Sequence, residues 1–257
     1  MLYLILAFIG ALLFLIGACF FSFLNVVVWR TPRKESLVHG RSHCPVCGRV
    51  LTAWELVPCF SFLALRGKCY GCGAKIPVRD FWVEVLGGVL FLACNVHFGL
   101  MTGRALLSFA LLFILTVVAL MDWDTMEIYD RFHVMILGCA ALSLWLFPEI
   151  TLMERLIGCL CVSAPMFALA MIVPGGFGGG DIKLMFALGA YLGWKNTLLA
   201  AFFGVVSGGL YAVMLLRKKK AGRKDQFAFG PFLCTGAAAA IFFGQPILQW
   251  YLSLWQI

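Results

Sequence analysis

Long apolar runs separated by short polar intervals fill this chain from end to end. A helix needs roughly 20 apolar residues to cross a bilayer. By that measure the pattern predicts eight spans, at residues 2–28, 81–100, 105–121, 132–147, 156–173, 182–193, 197–216 and 230–254. The sixth is short and is expected to be broken or tilted. Backbone polar groups have no water to pair with inside lipid, so open strands are excluded and helices are expected. Residues 1–18 have the apolar character of a signal peptide, but no basic segment precedes them. The run also continues through Phe20-Phe21-Ser22-Phe23-Leu24, so a retained first span is expected.

Composition supports this reading. Of 257 residues, 63% are hydrophobic and only 12% charged, and the mean hydropathy is +0.97. The expected fold class is therefore an all-α polytopic membrane protein with about eight transmembrane helices. The net charge of +8 is unevenly placed. Alternate loops hold 17 of the 20 Lys and Arg residues, and the remaining loops hold only Arg104, Arg155 and Lys195. Positive charge marks the cytoplasmic side, so both termini are expected to face outward. Basic residues partitioned in this way give no nucleic-acid surface. The run Arg217-Lys218-Lys219-Lys220 reads as an anchor against anionic lipid.

Residues 30–80 are the one mixed-polarity stretch long enough for a soluble module, and they fall on the cytoplasmic side. This stretch contains Cys44-Pro45-Val46-Cys47-Gly48 and Cys69-Tyr70-Gly71-Cys72-Gly73, with 21 residues between the two pairs. Four thiolates at this spacing suit a closed, structural zinc site, with each glycine permitting a tight turn. Disulfides are disfavoured in the reducing cytoplasm. A metal would hold together a module too small for a large core. His43 is adjacent but superfluous. The other seven cysteines (Cys19, Cys59, Cys94, Cys139, Cys159, Cys161 and Cys234) read as small apolar packing residues.

The candidate chemistry lies in the carboxylates. Asp181 closes the run Gly178-Gly179-Gly180-Asp181 at the start of the sixth span. Asp122 directly follows Val117-Val118-Ala119-Leu120-Met121 at the end of the third. An acid at a membrane boundary is costly and marks function. Both fall on the predicted cytoplasmic side, where they can share one site. Two neighbouring carboxyls supply the base and the acid that peptide hydrolysis needs. Asp124 and Glu127 read as solvated loop residues, and Asp130 opens the fourth span. None of His39, His43, His97 and His133 stands beside an evident nucleophile. Glu84, just inside the second span, is either functional or paired with a base such as Arg79. Lys183 either orients the two acids or anchors the interface.

At this point the chain resembles the prepilin peptidases, also called type IV leader peptidases. The similarity rests on Phe23-Leu24-Asn25-Val26-Val27-Val28-Trp29-Arg30-Thr31-Pro32, both cysteine knuckles with their flanks, Val83-Glu84-Val85-Leu86, Gly178-Gly179-Gly180-Asp181-Ile182-Lys183 and Phe229-Gly230-Pro231-Phe232-Leu233, in that order. The resemblance implies a membrane aspartyl endopeptidase of the GxGD type, with Asp122 and Asp181 catalytic and Gly178, Gly180, Lys183 and Glu84 supporting. Implied substrates are type IV prepilin or competence-pseudopilin precursors, cut at the cytoplasmic face of the bacterial inner membrane. It further implies N-methylation of the new N-terminus from S-adenosylmethionine, associated with the zinc module. Presenilins are similar only at the GxGD motif. Two departures stand out. Tyr129 replaces a usual proline before Asp130, and Phe21-Ser22 replaces a usual glycine-serine.

The expected organisation is a first span (residues 1–29), a cytoplasmic zinc module (30–80) and a membrane peptidase domain of about seven helices (81–257). The rival reading is an ion- or proton-coupled transporter with the two aspartates as ion sites.

Overall fold

The computed structural model describes residues 1–173, 177–217 and 227–254, and their regular structure is helical. The chain divides into two compact units, Met1–Phe109 and Ala110–Ile257.

In the first unit, α1 (Leu2–Arg30) ends where Pro32 forbids continuation. Buried Arg30 bends the following segment by donating to the carbonyls of Ser36 (2.8 Å) and His39 (3.1 Å). A 3-10 turn (Ala53–Leu56) and the short α2 (Phe60–Ala64) lead to α3 (Val78–Phe98), which packs along α1. Small residues allow that approach: the positions of Gly17 and Gly87 leave no room for a Cβ on either helix. Phe21 is fully buried with its ring over Gly87. The glycine–serine departure therefore has a packing partner in the same unit. Asn25 ties the pair near its end, its Nδ2 donating to the Asp80 carbonyl at 3.1 Å.

The second unit is organised on one long element. The division falls within α4 (Gly103–Thr125), and α5 (Asp130–Leu146), α6 (Leu152–Cys161) and α7 (Ser163–Ile172) follow. The 39-residue α8 (Gly179–Arg217) receives α5, α6, α7 and α9 (Gly230–Leu254) against its sides. Between α6 and α8, Gly158 and Gly189 are so close that neither has space for a side chain. α8 is interrupted at Gly193, whose φ of 70° and ψ of 167° are not helical. A side chain there would be strained, and its Cβ would lie 2.8 Å from Ile150 Cγ2.

Arg155 repairs that break. It is 3% exposed and donates to the carbonyls of Ala190 (3.0 Å) and Tyr191 (3.2 Å), just ahead of the interruption. It also bonds the Ser143 and Phe147 carbonyls at the end of α5, at 3.1 and 3.0 Å, and the Ser143 hydroxyl at 2.6 Å. One guanidinium thus caps two chain breaks whose carbonyls have lost helical donors. The sequence placed Arg155 among the few outer-side charges; in the fold it is an interior tie.

Among the described residues, six helices are long and apolar enough to cross a membrane: α1, α3, α4, the stretch formed by α6 and α7, α8 and α9. Two features account for the difference from the eight expected. The sixth and seventh expected spans are the two helical parts of α8, divided at Gly193 where the sequence divides them. α5, with 17 residues, rises about 25 Å and is at the short end of what spans a hydrocarbon core of about 30 Å. Beyond Arg217, the expected basic anchor lies outside the described residues.

Candidate active site and metal centre

Asp122 sits in the last turn of α4 and Asp181 in the first turn of α8. They are 6% and 8% exposed. Asp122 Oδ2 accepts a hydrogen bond from the N–H of Gly230 at 2.9 Å. Gly230 opens α9, so Asp122 faces the positive end of that helix, where a negative charge is favoured. Pro231 suits this start, since a first-turn residue needs no N–H for the helix ladder. A Cβ at Gly230 would lie 2.8 Å from Asp122 Oδ2, so only glycine lets the backbone come so close.

Asp181 is reached through a short chain of contacts. Ile128 lies against Gly230, with its Cδ1 3.3 Å from the Cβ position there, and against Gly180, with its Cβ 3.0 Å from the equivalent point. Gly180 immediately precedes Asp181. The two carboxylates lie within each other's field, and the Cys234 thiol lies within the field of both. The Asp181 N–H donates to the Gly178 carbonyl at 3.1 Å, and Asp181 Oδ2 lies 3.2 Å from where a Gly178 Cβ would sit. Asp181 Oδ1 is buried without a hydrogen-bond partner in the described structure. Such an atom is costly unless a proton or a ligand satisfies it.

The loop between α4 and α5 completes the surroundings. The Met126 N–H returns to the Asp122 carbonyl at 2.9 Å, closing α4. Tyr129 has φ −74° and ψ 134°, which is the backbone shape proline would impose. The missing proline therefore leaves this residue's conformation unaltered, and the Arg131 guanidinium lies 5.3 Å over the tyrosine ring. Lys183 bonds Asp130 Oδ1 at 2.7 Å at the surface, and this bond and charge hold the Asp130 carboxyl below its usual range. His133, absent from the sequence-level candidates, is buried and has Nε2 3.1 Å from the Gly180 carbonyl oxygen. The available signal was its position three residues after Asp130 on a helix.

Glu84 belongs to the first unit. Its Oε2 accepts from the Cys59 N–H at 2.7 Å, and Ser22 bonds the same carboxylate. Its bonds thus hold Cys59 at the start of α2, where the backbone has a φ of 60°.

The four knuckle thiols, Cys44, Cys47, Cys69 and Cys72, come within 4.8 Å of one another. The two knuckles repeat the same bonds. The Cys44 N–H reaches the Arg49 carbonyl (2.9 Å) and the Cys69 N–H the Ala74 carbonyl (2.8 Å), while Gly48 and Gly73 each turn back to the first cysteine at 2.9 Å. Both glycines have φ near +70°. Backbone N–H groups of Cys72 and Gly71 favour the Cys69 thiolate and lower its pKa to about 6. Cys44 is likewise lowered by the N–H groups of Cys47 and Val46. Cys72 is instead pushed up to about 11, by burial and by hydrogen bonding with the neighbouring thiols; four converging thiols, two of them biased towards thiolate, suit a metal ion. Arg49 braces the cluster: it pairs with Glu55, and its guanidinium lies 5.8 Å over the Tyr70 ring of the other knuckle. Hydrogen bonds from Arg49 and Thr52 hold the Glu55 carboxyl down at about 2.

The protein is thus a polytopic helical membrane protein with a buried pair of carboxylates and a separate four-thiol centre. Residues 15–98 match the family model for the bacterial peptidase A24 N-terminal domain, and residues 109–213 match that of the type IV leader peptidase family. A prepilin leader peptidase/N-methyltransferase of Bacillus subtilis is 31% identical over 244 residues, covering 95% of this chain and 98% of the relative. Proteins of the same description from Legionella pneumophila (28% identical, 91% of each chain) and Aeromonas salmonicida (30%, 95% of this chain and 94% of the relative) are similar in extent. No solved structure matches. The chain belongs to the type IV leader peptidase family.

Proposed function

We propose that this protein is a membrane aspartyl endopeptidase that removes the basic leader from type IV prepilin-like or pseudopilin precursors. The observation that carries the reading is the meeting of Asp122 and Asp181 around Gly230, Ile128 and Gly180. Asp122 accepts an N–H, as a carboxylate oxygen does; we assign it the activation of water. It takes a proton as the water oxygen attacks the scissile carbonyl carbon. Asp181, whose Oδ1 lacks a donor, gives a proton to the leaving amine nitrogen as the C–N bond breaks. The glycines before Asp181 leave space for an extended substrate backbone. The family match over residues 109–213 is to a peptidase family, so the transporter reading is set aside.

On this reading residues 30–80 form a zinc module on the cytoplasmic side and residues 81–257 the peptidase domain, in the bacterial inner membrane with both termini outward. The distribution of Lys and Arg supports that orientation. Zinc suits the centre: a tetrahedron of sulfurs about 2.3 Å from the metal sets them about 3.8 Å apart, and Cys44 and Cys72 Sγ are separated by 3.8 Å. The relatives' description adds N-methylation, for which S-adenosylmethionine supplies the methyl group. A cavity of about 320 Å³ in the first unit offers room for such a donor. The stacked Phe62–Phe81 rings (4.9 Å) suit a flat base, and the Glu84 carboxylate suits a sulfonium cation.

The test is co-expression with a prepilin-like precursor, read by mass. Loss of the leader reports cleavage, and the added mass of one methyl group reports transfer. Asp122→Asn and Asp181→Asn should each reduce cleavage on the order of 1,000-fold or more. The asparagine oxygen at 122 can still accept the Gly230 N–H, so the protein should still insert and fold. Full processing by either variant removes the proposal.

A further inference from the structure

Resting on that reading of Asp181, we propose that His133 is a positioning residue for it, acting through the carbonyl of Gly180. The carbonyl oxygen can only accept, so His133 Nε2, 3.1 Å away, carries the hydrogen. Nδ1 is then bare. It is buried, has no hydrogen-bond partner, and lies 3.6 Å from Asp130 Oδ1.

The peptide linking Gly180 to Asp181 is held at both ends. Its carbonyl accepts from His133, and its N–H donates to the Gly178 carbonyl at 3.1 Å. Rotation of that peptide plane would swing the Asp181 side chain. Three consecutive glycines provide no side chains to resist the rotation, so beyond the first turn of α8 itself the restraint comes from neighbouring elements. Ile128 blocks one side of Gly180 and His133 holds its oxygen. Both α5 and α8 are fixed by packing on each other, so the bond is anchored at a rigid base.

A second tie joins the same helices, the Lys183–Asp130 pair. Its side chains are 58% and 74% exposed, and exposed ion pairs contribute little. The His133 ring is buried and its bond to Gly180 partly so, which leaves that bond less screened by solvent than the exposed pair. The positioning role therefore falls to His133 rather than to Lys183.

Two variants of the full-length protein in lipid nanodiscs test this. His133→Phe keeps the ring volume and removes the donor; His133→Gln keeps an N–H donor. Misplacing a reacting group by about 1 Å costs on the order of 100-fold in rate. His133→Phe should therefore lower kcat about 10- to 100-fold with KM within about 2-fold, and His133→Gln should recover most of the loss. Wild-type kcat in His133→Phe, or a His133→Gln variant as slow as His133→Phe, overturns the proposal. Amide hydrogen exchange over residues 177–184 provides a readout independent of cleavage. Exchange should quicken in His133→Phe and stay near wild type in His133→Gln; equal exchange in all three overturns the clamp. Should the wild-type protein cut no prepilin-like precursor, the cleavage reading fails, while the exchange comparison still decides the clamp.

Discussion

Asp122 shows how much a single carboxylate depends on a neighbour distant in sequence. Its oxygen bonds the N–H of Gly230, 108 positions later, and the absence of a side chain there sets the approach. Gly230→Ala should therefore act on Asp122 directly. The new Cβ, 2.8 Å from Oδ2, must push the carboxylate or the start of α9 aside. The expected result is a fall in kcat on the order of 10-fold or more with little change in thermal stability, since the residue lies at a helix end. Unchanged kcat would mean that this contact does not set the Asp122 geometry. The two acids themselves were legible, because a carboxylate flanked by apolar runs stands out against its surroundings. Gly230 was visible only as part of a motif, and Ile128 and His133 not at all as site residues. Their roles come from backbone groups and apolar contacts brought together by folding, which no local pattern records.

At the scale of elements, the strongest constraint on α8 is Arg155. The interruption at Gly193 frees carbonyls, and the buried guanidinium supplies the missing donors. Replacing it by leucine leaves at least four carbonyls, those of Ser143, Phe147, Ala190 and Tyr191, without that donor. Each unpaired buried group costs about 1–3 kcal/mol, so Arg155→Leu should lower the unfolding temperature in detergent markedly. Arg155→Lys should recover only part, because one ammonium cannot span both breaks. A leucine variant as stable as wild type would show that the carbonyls find other partners. Hydropathy located the apolar helices, and its division of the sixth span from the seventh after residue 193 agrees with the interruption at Gly193. What hydropathy could not show is that the carbonyls at this break are paired by Arg155 of α6, which it counts as an outer-loop charge.

At the scale of the whole molecule, the chain joins a unit organised around α1 and α3, carrying the thiol centre, to one organised around α8, carrying the carboxylates. The thiol module was readable in advance, since two CxxC pairs fix their own turns through local bonds. The brace between Arg49, Glu55 and Tyr70 was not, because it depends on how one knuckle faces the other. This division predicts what metal removal does. Between Thr31 and Pro77 the module has one 3-10 turn and the five-residue α2, too little regular structure to hold four thiols together unaided. A chelator at neutral pH should therefore open residues 42–76 to protease while α8 and α9 remain resistant, and restored zinc should reverse the change. The Glu55 clasp will not oppose this by titration. Its folded pKa of about 2 lies below the ordinary value of 4.5, so its contribution is complete at neutral pH and is lost only as pH falls towards 2. Mass spectrometry of the cleavage products locates the opened segment. Quantitative metal loss with an unchanged cleavage pattern would show that the module holds its own shape and that the metal is not what folds it.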